Sequence, residues 1–72
     1  MVRYSTHAMR QMRTRHVGPA EVEAVLANPE EEYPGEGQSI IYVATVGGRR
    51  IKIYWVMAGQ DFLVITVAVR GE

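Results

Sequence analysis

The sequence predicts an α+β domain: an N-terminal helical hairpin packed on a three- to four-stranded antiparallel sheet. Three observations carry this. Helix signals crowd the first third of the chain, β-branched and aromatic runs fill the last half, and an acidic Gly/Pro stretch separates them. At 72 residues the chain is one domain, residues 1–72. A chain this short hides a modest fraction of its surface, and with no cysteine it has no disulfide to staple it.

The elements follow in order. Ser5 or Thr6 caps a first helix over residues 6–15. Gly18-Pro19 opens a second, because proline lacks an N–H that would be unpaired at a first helical position anyway. Glu21 and Glu23 then lie near the positive end of the helix dipole, and Asn28-Pro29 ends the helix. After "EEEYPGEGQ" come "SIIYVATV", "RIKIYWVM" and "FLVITVAV", three strands of a meander. Gly47-Gly48 fits a two-residue hairpin turn and "AGQD" a second turn. A short extra strand near Glu31 to Tyr33 makes a fourth.

Pairing Val46 with Arg49 and Met57 with Phe62 divides the sheet into two faces. One carries Ile40, Tyr42, Ala44, Ile51, Ile53, Trp55, Phe62, Val64, Thr66, Ala68 and Arg70. The other carries Ile41, Val43, Arg50, Lys52, Tyr54, Val56, Leu63, Ile65, Val67 and Val69. Both faces are largely apolar, whereas a sheet with one wet face alternates apolar and polar residues. One helical hairpin covers one face, so a second copy of the chain is expected on the other, giving a homodimer. A partner protein, a substrate groove or a sheet curled on its own core would answer the same need.

Several function classes are excluded or weakened by composition. Without cysteine, and with two histidines, no structural zinc site of the usual kind can be completed. No metal or cofactor is therefore expected. No apolar run is long enough to span a bilayer, and "MVRYSTHAMR" has no apolar core of a leader. A cytoplasmic location is the expectation. There is no glycine-rich phosphate loop, nucleophile elbow or paired-histidine motif.

The net charge is zero, yet the charges are segregated. Residues 1–16 hold Arg3, Arg10, Arg13 and Arg15 and no acid; residues 17–38 hold six glutamates and no Lys or Arg. Either the two blocks neutralise each other or the basic one awaits an anion such as RNA. On the first helix Ala8, Met9 and Met12 form the core-facing side, with His7, Arg10, Gln11 and Thr14 opposite. His7 brings an imidazole, the side chain most suited to proton transfer, and the adjacent arginines suit phosphate. A histidine–arginine surface is what metal-independent RNA cleavage requires; a solvated helix face is the simpler account. Arg50, Lys52 and Tyr54 share one strand face and Arg70 ends the last strand, a second set that could grip a nucleic-acid backbone. The simpler account here is an edge strand protected from aggregation by its charges.

"HAMRQMRTRHV", His7 to Val17, resembles the H-A-x-x-R-M-x-x-R-G-I segment that opens the domain of unknown function 4258 family. The following helix, the acidic stretch, "VGGRRIKIYWVM" and "LVITVAVR" keep that family's order, so the resemblance spans nearly the whole chain. The family looks like a branch of the RelE-type toxin superfamily. That implies two N-terminal helices followed by an antiparallel sheet, metal-independent ribonuclease activity and an antitoxin partner. His7 then matches the motif histidine, as general acid or base, and Arg15 the second arginine. Gln11 replaces the first arginine, whose phosphate role would fall to Arg10, and His16 replaces the glycine. The expected function is a toxin-like endoribonuclease of a toxin–antitoxin system. The alternative is a non-enzymatic dimeric module that binds a protein partner or nucleic acid.

Overall fold

The computed structural model describes residues 1–70. The elements are β1 (Val2–Tyr4), α1 (Thr6–Arg15), α2 (Pro19–Ala27), β2 (Glu31–Pro34), β3 (Ile40–Val46), β4 (Arg49–Ala58) and β5 (Asp61–Arg70). They build one five-stranded sheet in the order β1-β5-β4-β3-β2. The sheet is antiparallel except at β1, which runs parallel to β5. The three- to four-stranded expectation is corrected to five, because the fourth strand forms as β2 and a fifth precedes the helices. The helices do not form an N-terminal hairpin. The chain leaves one sheet edge at β1 and returns at the other edge at β2, and α1 and α2 carry it across one face. Within that crossing α1 packs on β5, and α2 on β3 and β4.

Both helices begin and end for local reasons. The Ser5 hydroxyl accepts the Ala8 N–H at 3.0 Å, an ordinary N-cap. At the other end His16 adopts the left-handed conformation, φ 55°. The Val17 N–H then reaches the Met12 carbonyl at 2.9 Å and the His16 N–H the Arg13 carbonyl at 3.4 Å. This is the Schellman closure, and its two apolar members, Met12 and Val17, are buried in the core. A Cβ in that conformation costs about 1 kcal/mol. His16→Gly is therefore expected to stabilise the fold by roughly 1 kcal/mol, raising Tm by about 4–8 °C in thermal unfolding. An unchanged or lower Tm would mean that the imidazole makes a compensating contact.

Glu21 locks the start of α2. One carboxylate oxygen accepts the Gly18 N–H at 3.0 Å, and the other takes an Arg49 guanidinium nitrogen at 2.7 Å. The Gly18 N–H, and after it Arg49, hold the Glu21 carboxyl below the usual carboxylate range. Arg49 also donates to the carbonyls of Arg15 and His16, both at 2.8 Å, so one β4 side chain closes the end of α1 and anchors the start of α2.

The core is the helix-facing side of the sheet with the inner stripes of the helices: Ala8, Met12, Val17, Val22, Val25, Ala44, Ile51, Ile53, Trp55, Val64, Val67 and Val69. Trp55 stacks between Tyr42, edge-on at 5.2 Å, and Phe62 at 4.7 Å. Met9, expected on the buried side of α1, is 47% exposed. The buried stripe is narrower, Ala8 and Met12, one helical turn apart.

The two hairpin pairings, Val46 with Arg49 and Met57 with Phe62, are as expected. The face assignment of β5 is corrected beyond Val64. Trp55 pairs with Val64 but Tyr54 with Thr66, which leaves Ile65 as the extra residue of a bulge. From there every side chain changes sides. Val67 and Val69 enter the core opposite Ile53 and Ile51, while Thr66, Ala68 and Arg70 move to the outer face beside Tyr54, Lys52 and Arg50.

Candidate functional site

The bulge decides what the outer face can do. It places Arg70 directly across from Arg50, and Ala68 across from Lys52. On the other flank β2 pairs with β3 so that Glu31 lies beside Val43 and Tyr33 beside Ile41. The result is a cleft of about 470 Å³ on the helix-free face. Ile41, Val43 and Ala68 line it together with Lys52, Arg70, Glu31 and Tyr33. β4 is the middle strand of five, so its Arg50 and Lys52 do not protect an edge. That simpler account of the strand's charges is removed.

Some of the polar groups in and beside the cleft are already engaged with one another. The Tyr33 hydroxyl donates to Glu31. Arg50 holds Glu30 through one terminal nitrogen and Glu31 through the other, and donates to the Thr45 hydroxyl at 3.0 Å. The Tyr33 hydroxyl, with Arg50 after it, keeps the Glu31 carboxyl below the usual carboxylate range. The same bond raises the phenol of Tyr33. Lys52 lies over the Tyr54 ring, 5.4 Å from its centre, a cation–π arrangement. Tyr54 itself borders a second depression with Ile65 and Thr66.

The α1 set lies on the other side of the sheet. His7 and Arg10 are exposed, and their side chains make no hydrogen bond or ion pair among the described residues. Arg15 is half-buried near the end of α1. The structure thus divides the expected site residues into His7, Arg10 and Arg15 on the helix side and Arg50, Lys52, Tyr54 and Arg70 on the outer face. Three glutamates of the acidic block pair with cations of β4. Glu21 goes to Arg49, and Glu30 and Glu31 go to Arg50. Glu31 and Tyr33 were not among the expected site residues. Their alternation in "EEEYP" put both on one face of a short strand, but the stretch reads first as a linker.

Gln11 also departs from the sequence reading. It does not join the solvated stripe of α1 but turns to the sheet, where its Oε1 accepts the Val67 N–H at 2.8 Å. The Ser5 hydroxyl donates to the Ile65 carbonyl at 3.1 Å. β1 pairs with β5 as far as Val64, and these two side chains serve the backbone just past it, where the bulge begins.

The family model for domain of unknown function 4258 (DUF4258) matches residues 4–69. The chain belongs to that family. No curated protein and no solved structure matches it. In this DUF4258 domain the matched span runs from the end of β1 through nearly all of β5, so it includes both residue sets except Arg70, which lies one residue beyond it. The two departures from the motif now have physical content. His16 occupies a left-handed position that suits glycine, and Gln11 supplies an acceptor that arginine does not have. Gln11→Arg is therefore expected to destabilise the fold by about 1–3 kcal/mol, since the Val67 N–H loses its partner. Urea unfolding checks this; a neutral result would show that the edge finds another acceptor.

Among the described residues no group of three or more His, Asp or Glu side chains gathers where a metal ion could be held, and no helix is long and apolar enough to cross a membrane.

Proposed function

We propose that this DUF4258 domain is a toxin-like, metal-independent endoribonuclease that takes RNA on the helix-free face of its sheet. The observation that carries the reading is the cleft itself. It joins two cations picked out from sequence, Lys52 and Arg70, to an exposed phenol, Tyr33, over an apolar floor. Lys52 and Arg70 would hold a phosphate and offset the charge that grows on it as the RNA 2′-hydroxyl attacks. The exposed Tyr33 phenol would give its proton to the departing oxygen, while solvent water takes the proton of the attacking 2′-hydroxyl. Tyr54, with Lys52 over its ring, offers a surface on which a base can stack. Among the described residues His7 has no hydrogen-bond partner to orient it, so the reading moves the chemistry away from α1. The RelE-type resemblance agrees in kind of activity, and an antitoxin would have to cover this same face. Such an enzyme would act in the cytoplasm, where its RNA lies.

The test is incubation of the purified chain with a mixed RNA pool, with and without EDTA. Cleavage that resists EDTA and depends on Lys52 and Arg70 supports the reading.

One observation favours a second reading, a non-enzymatic module that pairs with a second copy or another protein. Ile41, Val43 and Ala68 give the cleft an apolar floor, and Arg50 is already neutralised. Absence of cleavage, together with a solution mass of twice the monomer, would favour it over the nuclease.

A further inference from the structure

Arg50 and Arg70 are directly cross-strand neighbours on the outer face, a placement that like charges disfavour. Glu30 and Glu31 relieve it, and the way they do so is specific. Two carboxylates from consecutive residues reach the two terminal nitrogens of one guanidinium. That fork is what arginine offers to two oxygens of a phosphate. Both carboxylates are accessible, with side chains 51% and 37% exposed. Glu31 opens a four-residue strand on the sheet edge, and Glu30 immediately precedes it. Exposed ion pairs of this kind are weak, so an incoming polyanion can exchange with them.

We propose that Glu30 and Glu31 act as a built-in anionic competitor, holding the Arg50 guanidinium until the phosphate backbone of a bound RNA displaces them. This rests on the nuclease reading of the outer face and adds its regulation. The cleft offers Lys52 and Arg70 at first contact; Arg50 becomes a third cation when the carboxylates leave. It accounts for how a chain of zero net charge can present a phosphate-binding face. The local sign of that face is held near neutral by two glutamates that can swing away, which disfavours casual binding of short anions and favours a polyanion with several phosphates in register.

The experiment measures binding of a short fluorescein-labelled 2′-O-methyl oligouridine, which lacks the nucleophile for cleavage. The chains compared are wild type, Glu30→Gln/Glu31→Gln, and a control with equal charge change on the helix side, Glu23→Gln/Glu32→Gln. The competitor variant is expected to bind about tenfold more tightly than the control. Adding Arg50→Ala to it should abolish the gain. Equal affinity of the competitor variant and the control, with the wild type binding, would overturn the competitor while leaving the nuclease reading intact. Binding by none of the chains would overturn both. Should the double variant fail to fold, Glu30→Gln against Glu23→Gln decides the matter, with about a threefold gain expected.

Discussion

Replacing Ile53 with alanine is expected to lower stability by about 3–4 kcal/mol, enough to drop Tm by roughly 12–32 °C. Ile53 is fully buried at the middle of the central strand, and its partners across the ladder are Tyr42 on one side and Val67 on the other. Removing three carbons there leaves a space that the sheet cannot close, because β3 and β5 hold β4 from both edges. The loss must be set against what a chain of this size has. At about 0.05–0.15 kcal/mol per residue, 72 residues give about 4–11 kcal/mol. One substitution therefore removes about a quarter or more of the total. Urea unfolding followed by circular dichroism measures it. The comparison is Ile41→Ala, from the partly open outer face, which should cost clearly less. If the two cost the same, the outer face is as well covered in solution as the core. That result would speak for a second copy of the chain lying on it.

The parts of this fold that could be read from sequence are those fixed by neighbours a few residues apart. Ser5, Pro19 and the Asn28-Pro29 stop mark both helices, and Gly47-Gly48 with the Gly59 turn fixes two hairpins, because backbone conformation at those points depends on the residues present. What escaped depends on distant partners. "VRY" is too short for any period to show, and becomes a strand because β5 has a free edge beside it. The bulge at Ile65 has no signature of its own: "LVITVAV" alternates as well without it. The contacts that accompany it come from distant residues: Ser5 and Gln11 bind the Ile65 carbonyl and the Val67 N–H. That one inserted residue reassigns Thr66, Val67, Ala68, Val69 and Arg70 to opposite faces. It therefore also decides the site, since it brings Arg70 alongside Arg50 and Lys52. The candidate cations were legible as residues; their grouping was not. Tyr33 and Glu31 were hidden by a stretch whose glycines, proline and acids describe a linker well.

Lys52→Ala/Arg70→Ala is expected to reduce RNA cleavage by about a hundredfold or more in kcat/KM, whereas His7→Ala/Arg10→Ala leaves it within about twofold. The asymmetry follows from placement. Lys52 and Arg70 flank one cleft, so a phosphate between them meets both at once. His7 and Arg10 stand on open helix surface on the far side of the sheet. Two readouts separate catalysis from simple attraction. Loss of two phosphate contacts should flatten the salt dependence of binding to single-stranded RNA by a slope of about 1.4. If the pair also stabilises the charged transition state, kcat falls along with affinity; if it serves binding alone, KM rises and kcat holds. The opposite pattern, activity lost with His7 and Arg10 and kept without Lys52 and Arg70, would return the active surface to α1. It would make "HAMRQMRTRH" the functional stretch and leave the outer cleft as an interface.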